Sequence, residues 1–364
     1  MRPPIEAATV LTNDLRSRST DRSKRNRDRW CRAWRLASRF VLAFVFCFSG
    51  CRPATDPDGS ETDRRTDELR AATVQLNWYP EAEHGGVFQA VADGTYRDAG
   101  WDVTIAPGGI NTPLGAELLM GRAQFAITNA DDVVLLRRGG ADVVAVAAVV
   151  QNSPRCILVR SDSGVESLDD LEGITLQRQA GRLFLEYMRS RRLLDGVREV
   201  PYGGTPAVMT TDPKIAIQAY VFSEPYLASQ AGLKTRELMV SQTGWNPYSS
   251  VLVTTGEMIR EQPAQVQSFV DATLAGWRNY LTDPAAANAA ILRANRHGMT
   301  AEALEFGMTP LRELTMPDAM AMDDVGKMTA ERWQTLCEQI DELSDSGTPI
   351  DPRTCYDMRF ISAP

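Results

Sequence analysis

The chain has 364 residues, 43% hydrophobic and 24% charged, which is globular composition with length for two compact domains of about 100–200 residues each. Residues 1–50 hold 11 of the 39 basic and 4 of the 47 acidic side chains, leaving 28 and 43 for the rest, a net charge of −15. So acidic a body excludes nucleic acid as a partner, and two histidines, His84 and His297, exclude a His-rich metal centre or His relay.

Arg29, Arg32, Arg35 and Arg39 precede the apolar run Phe40-Val-Leu-Ala-Phe-Val-Phe-Cys-Phe48. The run is too short to span a bilayer and has the length of a signal-peptide core. Residues 1–50 are therefore predicted to be a signal peptide. It ends in Phe48-Ser49-Gly50-Cys51, small residues directly before a Cys. That pattern resembles a bacterial lipobox, which implies lipidation of Cys51 and anchoring at a membrane. A plain signal peptide with a chance Cys is the alternative. Residues 51–72 are polar with Pro and Gly and read as a flexible tether. Three cysteines remain beyond Cys51. Cys156 sits in an apolar run and reads as a buried small hydrophobe. Cys337 and Cys355 are candidates for a disulfide in an oxidising compartment, a pairing that sequence leaves open. No Cys/His spacing suggests zinc.

From Thr73 onward strands and helices alternate. Val74, Leu76 and Trp78 alternate with polar residues, as on a strand. A helix follows His84-Gly85-Gly86, then a strand over 102–106, a helix over 114–120 and a strand over 124–128. Asn129 to Asp132 reads as a helix N-cap, and 142–150 as a buried strand. After 156–160 a second series begins: a strand at 174–176, a helix from Gly181, strands at 199–202 and 217–222, and a strand at 250–254. Val266, Phe269, Val270, Leu274, Trp277 and Leu281 form one apolar helical stripe, read as core. The alternation predicts α/β lobes with mostly parallel sheets. Lobe one takes residues 73–157 and 250–364, and lobe two takes 158–249. Two chain crossings make a hinge, with a ligand cleft between the lobes.

Four segments carry a resemblance covering nearly all of 73–340. They are Asn77-Trp-Tyr-Pro-Glu-Ala-Glu-His-Gly-Gly86, Ala123-Gln-Phe-Ala-Ile-Thr-Asn-Ala-Asp131, Leu168-Asp-Asp-Leu-Glu-Gly-Ile174 and Tyr220-Val-Phe-Ser-Glu-Pro-Tyr226. In order and spacing the chain resembles the solute-binding proteins of nitrate/sulfonate/taurine and thiamine-precursor ABC importers. The resemblance implies a type II periplasmic-binding fold and a monomer at the periplasm or cell surface. Its partners would be an ABC permease and ATPase complex, and it would need no cofactor.

Trp78 and Tyr79 offer faces for stacking. Glu81, His84, Asn129, Asp131 and Glu224 offer hydrogen bonds to a ligand's polar edge. Tyr226, Trp245, Asn246 and Tyr248 are further candidates near the cleft floor. Several have structural alternatives. Trp78, Tyr226 and Trp245 also suit core packing, and His84 a helix cap. Asp131 and Asp132 suit N-caps, and Glu224 beside Pro225 a surface turn.

The aromatic and acceptor supply predicts a flat nitrogen heterocycle, a thiamine-precursor pyrimidine first and a flavin-type vitamin second. Arg178 and Arg182 are the counter-evidence, because they suit an anion. An enzymatic rival exists in the same superfamily, the thiamine pyrimidine synthases. The segment matching their Lys reads Ala126-Ile-Thr-Asn-Ala130, and the segment matching their Cys-rich motif reads Gly244-Trp-Asn-Pro-Tyr-Ser249. Neither supplies the amine or thiolate that chemistry requires. A surface sensor module without a transporter is the third reading.

Overall fold

The computed structural model describes residues 69–344 and 348–361. The signal peptide, Cys51 and the tether up to residue 68 lie outside the described residues.

Ten strands form two five-stranded sheets. The first holds β1 (Arg70–Leu76), β2 (Trp101–Ala106), β3 (Phe125–Thr128), β4 (Val143–Val150) and β10 (Ser249–Thr255), in the order β2-β1-β3-β10-β4. The second holds β5 (Arg155–Arg160), β6 (Thr175–Arg178), β7 (Arg198–Pro201), β8 (Ile215–Tyr220) and β9 (Thr235–Met239), in the order β7-β6-β8-β5-β9. In each sheet one strand opposes the others: β10 runs antiparallel to β3 and β4, and β5 to β8 and β9. Both odd strands are the first to arrive from the other sheet. The expectation of mostly parallel sheets holds for the remaining strands.

Local boundaries moved for physical reasons. β1 opens at Arg70, inside the stretch read as tether, because Arg70 and Ala71 pair with Trp101 and Asp102. The Arg70 guanidinium lies 4.8 Å over the Trp101 ring, a cation–π contact that polar composition does not reveal. The changeover between sheets falls between Val150 and Arg155, because all of β5 belongs to the second sheet. The half-buried strand β9 and the helix Glu224–Gln230 were absent from the sequence reading.

The apolar stripe of the helix Pro263–Thr282 is buried, as expected. It packs on the helix Gly85–Ala92 across glycine. A Cβ on Gly86 would stand 2.2 Å from Trp277 Cγ, and one on Gly276 would stand 2.4 Å from the Gly86 carbonyl oxygen. Only glycine permits that approach, and the approach fixes the turn that carries Glu83 and His84. One apolar cluster links the two sheets through Ile157, Leu176, Trp245, Val251 and Trp333. Cys156 is buried on β5, as expected. Cys337 and Cys355 are buried free thiols that share a hydrogen bond, which raises Cys337 and lowers Cys355.

Candidate functional site

A cavity of about 660 Å³ lies between the two sheets, within the range of small-molecule sites. Its walls come mainly from the carboxyl ends of parallel strands. Asn77 and Trp78 follow β1, and Thr128 and Asn129 end and follow β3. Gln179 to Arg182 follow β6, Tyr202 follows β7, and Tyr220 and Glu224 end and follow β8. Such strand ends are where open α/β sheets bind ligands, because the loops there are free to diverge from the sheet.

The turn Ala82–His84 holds the most constrained groups. The backbone N–H of Glu81 donates to His84 Nδ1 at 3.3 Å. An amide can only donate, so Nδ1 is unprotonated and Nε2 carries the ring proton. Nε2 lies 3.0 Å from Asn77 Oδ1 and 3.5 Å from Glu83 Oε1. Burial lowers the His84 pKa to about 3, so His84 is a neutral strut behind the wall. Ser250, held at φ 47°, donates from its hydroxyl to the Glu83 carbonyl oxygen at 2.8 Å. That bond ties the turn to β10.

Glu83 lines the cavity and is 2% exposed. Its Oε2 has no hydrogen-bond partner among the described residues. Burial raises its pKa to about 8, with Arg155 opposing the shift and Glu224 adding to it. Glu81 is raised by burial and then by the charges of Glu83 and Glu224. Glu224 is raised by burial, although the Tyr220 N–H donates to its Oε2 at 2.8 Å and the Tyr202 hydroxyl lies 3.4 Å from its Oε1. These three carboxyls therefore tend to keep their protons. Burial holds Tyr202 and Tyr220 as neutral phenols, with Tyr220 pushed up to about 12.

The wall's arginines already face carboxylates. Arg155 Nη1 donates to Asp131 Oδ2 at 2.7 Å, and its guanidinium sits 5.6 Å over the Phe184 ring. Arg178 Nε donates to Glu199 at 2.6 Å, and Arg182 lies 3.6 Å from Asp132.

Of the residues expected at the site, Trp78, Glu81, Asn129 and Glu224 line the cavity. The others are placed elsewhere. Tyr79 stacks on His297 with ring centroids 3.6 Å apart. His84 lies behind the wall. Asp131 is turned to Arg155, and Asp132 lines the cavity in its place. Tyr226 points from its helix to Phe306, 5.6 Å between centroids. Trp245 is fully buried against Tyr187. Asn246 donates to Asn152 and accepts from the Ser153 N–H, joining the two crossings. Tyr248 is buried under the Arg332 guanidinium, and its hydroxyl accepts from the Thr329 N–H. The approach to β10 thus runs through core before it reaches the sheet, which removes its aromatics from the cleft. Sequence reasoning missed Glu83, Arg155, Phe184, Tyr202 and Tyr220. The strand-end rule alone points to Tyr202 and Tyr220. Nothing local marks Glu83, because glutamate is ordinarily exposed.

A family model described as NMT1/THI5 like matches residues 81–287. That is more than half of the chain, and the chain belongs to this family. The riboflavin-binding protein RibY of Chloroflexus aurantiacus is 25% identical over 244 residues, 64% of this chain and 68% of that one. The formylaminopyrimidine-binding protein of Halalkalibacterium halodurans is 29% identical over 137 residues, 37% of this chain and 39% of its own. Among solved structures, the periplasmic aliphatic sulphonate binding protein SsuA of Escherichia coli superposes with a TM-score of 0.58 at 16% identity, covering 78% of this chain and 91% of that one. The desulfurization enzyme DSZB superposes with a TM-score of 0.54 at 14% identity, covering 80% and 97%. The fold is the expected periplasmic-binding fold, and it serves both capture and catalysis, so the site must decide between them.

Proposed function

We propose that this member of the NMT1/THI5-like family captures a small molecule for an ABC importer, and that its cargo is a flat nitrogen heterocycle, an aminopyrimidine first and a flavin second. The observation that carries this reading is the composition of the cavity wall. Trp78, Phe184, Tyr202 and Tyr220 supply rings, and Glu81, Glu83 and Glu224 supply carboxyls. Rings stack on a flat ligand, and carboxyls pair with its N–H groups. An oxyanion meets arginines that are already engaged. The relatives named for riboflavin and for formylaminopyrimidine fit the same ligand chemistry. Among the described residues the wall contains no Lys or Cys, so the amine and thiolate that the synthase chemistry requires are not supplied there.

In this reading the two sheets head two lobes, the first holding β1–β4 and β10 and the second β5–β9, that hinge on their crossings as a monomer. The chain works in the periplasm or at the cell surface. A thermal-shift panel tests the ligand. Saturation at 100 times Kd stabilises the folded state by about 2.7 kcal/mol. A rise in Tm is expected with 4-aminopyrimidines or riboflavin, and none with taurine or nitrate. The reverse pattern overturns the assignment.

The anchor belongs to the same proposal and rests on Phe48-Ser49-Gly50-Cys51. On fractionation of cells expressing the full chain, Cys51→Ala is expected to move the protein from the membrane to the soluble fraction. A variant that stays with the membrane shows that the anchor lies elsewhere.

A further inference from the structure

Glu83 is held more tightly than a surface-type residue requires. Its carbonyl oxygen accepts from Ser250, its backbone lies in the turn that His84 braces, and its Oε1 is 3.5 Å from His84 Nε2. The His84 ring nitrogen is also engaged by Asn77 Oδ1 at 3.0 Å. The other carboxyl oxygen, Oε2, is buried and finds no partner among the described residues, although the side chain belongs to the cavity wall. A buried polar atom left unpaired costs stability. The structure retains one here, beside a cavity large enough for a ligand to complete it.

The surrounding charges decide what Glu83 offers. Glu81, Asp132 and Glu224 disfavour a further negative charge, whereas Arg155 and Arg182 favour it. Desolvation outweighs the arginines, so the carboxyl is held neutral near pH 7. A neutral carboxyl presents one O–H donor beside one acceptor oxygen. The complementary ligand edge has one acceptor beside one N–H donor. An aminopyrimidine has this edge in its ring nitrogen and exocyclic amine. A flavin has it in a carbonyl next to a ring N–H.

We propose that Glu83 is the specificity-determining residue of the cavity, pairing its carboxyl with an acceptor–donor edge of the ligand. This rests on the heterocycle reading above and deepens it. It also distinguishes Glu83 from an ionised carboxylate, which would accept from the N–H and repel the neighbouring acceptor.

The test is calorimetric titration of the full chain and two variants, with ligands whose edge is intact or blocked. The probes are 4-amino-2-methylpyrimidine against 2,4-dimethylpyrimidine, and riboflavin against its N3-methyl derivative. The wild type is expected to bind one intact ligand and to lose roughly 10- to 100-fold in affinity when that ligand's edge is blocked. The pair of probes that shows this tells aminopyrimidine from flavin. Glu83→Ala should lose a similar factor for the intact ligand and bind the blocked one about as well as the wild type does. Glu83→Gln keeps a donor beside an acceptor and should stay within about threefold of the wild type, since the hydrogen bonds are conserved. If Glu83→Ala, folded by its thermal transition, discriminates as the wild type does, Glu83 is not the reader and the heterocycle reading survives. If Glu83→Gln loses as much as Glu83→Ala, the neutral pairing is wrong. If the wild type binds neither intact probe, the heterocycle reading itself fails and this inference goes with it.

Discussion

Arg155→Met is expected to destabilise the folded protein by roughly 3–5 kcal/mol, the range for breaking a buried ion pair by removing one partner. Arg155 is 5% exposed and its Nη1 donates to Asp131 Oδ2 at 2.7 Å. Asp131 is 2% exposed, and its Oδ1 has no partner among the described residues. Without the guanidinium, Asp131 keeps a charge with no compensation or takes up a proton at neutral pH, and either route costs stability. Replacing both residues, Arg155→Met with Asp131→Leu, removes the charge together with its partner. The double variant should therefore recover most of the loss. Urea unfolding with unchanged m-values measures both. A double variant as unstable as the single one would show that the guanidinium matters through packing on Phe184 rather than through Asp131. Arg155 also opposes the upward shift of Glu83, so the single variant should hold the Glu83 proton to higher pH.

Stability is expected to fall as pH rises from about 6.5 to about 8, by an amount on the order of a few kcal/mol. Glu83 has an ordinary value of 4.5 and a folded value of about 8. The folded state therefore holds its proton more firmly than the unfolded chain does. That contribution is complete below 4.5 and is lost as pH passes through 8. Glu81 and Glu224, also raised, act in the same direction. His84 acts in the opposite sense. Its folded value of about 3 lies below its ordinary 6.5, so its contribution is present above 6.5 and lost as pH falls toward 3. The two limbs oppose each other between 4.5 and 6.5, and between 6.5 and 8 the Glu83 limb continues after that of His84 is complete. Urea midpoints across this range should decline in the wild type and flatten in Glu83→Gln, while the acid limb stays. An equal decline in Glu83→Gln would assign the alkaline limb to other groups.

Much of the frame was readable from local pattern. The alternation over Val74 and Leu76 and the stripe from Val266 to Leu281 each repeat with the period of the element they form. Burial then follows from that period. The strand β9 escaped because its half-buried residues alternate weakly, and the helix Glu224–Gln230 because Pro225 reads as a turn although proline suits a helix's first turn. The candidate site was less legible. Tyr79, Tyr226, Trp245 and Tyr248 have the chemistry of a stacking site, but the fold turns them to His297, Phe306, Tyr187 and Arg332. Aromatic rings serve a core and a cleft equally well, so type and neighbourhood in the chain do not separate the two.

By itself the sequence determined the class of fold, the alternation of elements, the helix core, and the strand-end segments around Asn77, Asn129 and Glu224, because these depend on periodicity and on bonds between near neighbours. The tertiary structure alone decided that Glu83 lies buried with a free oxygen, that Arg155 reaches across to Asp131, and that His84 is a neutral strut. Each of those states depends on desolvation and on charges supplied by residues distant in the chain, and no local pattern records them.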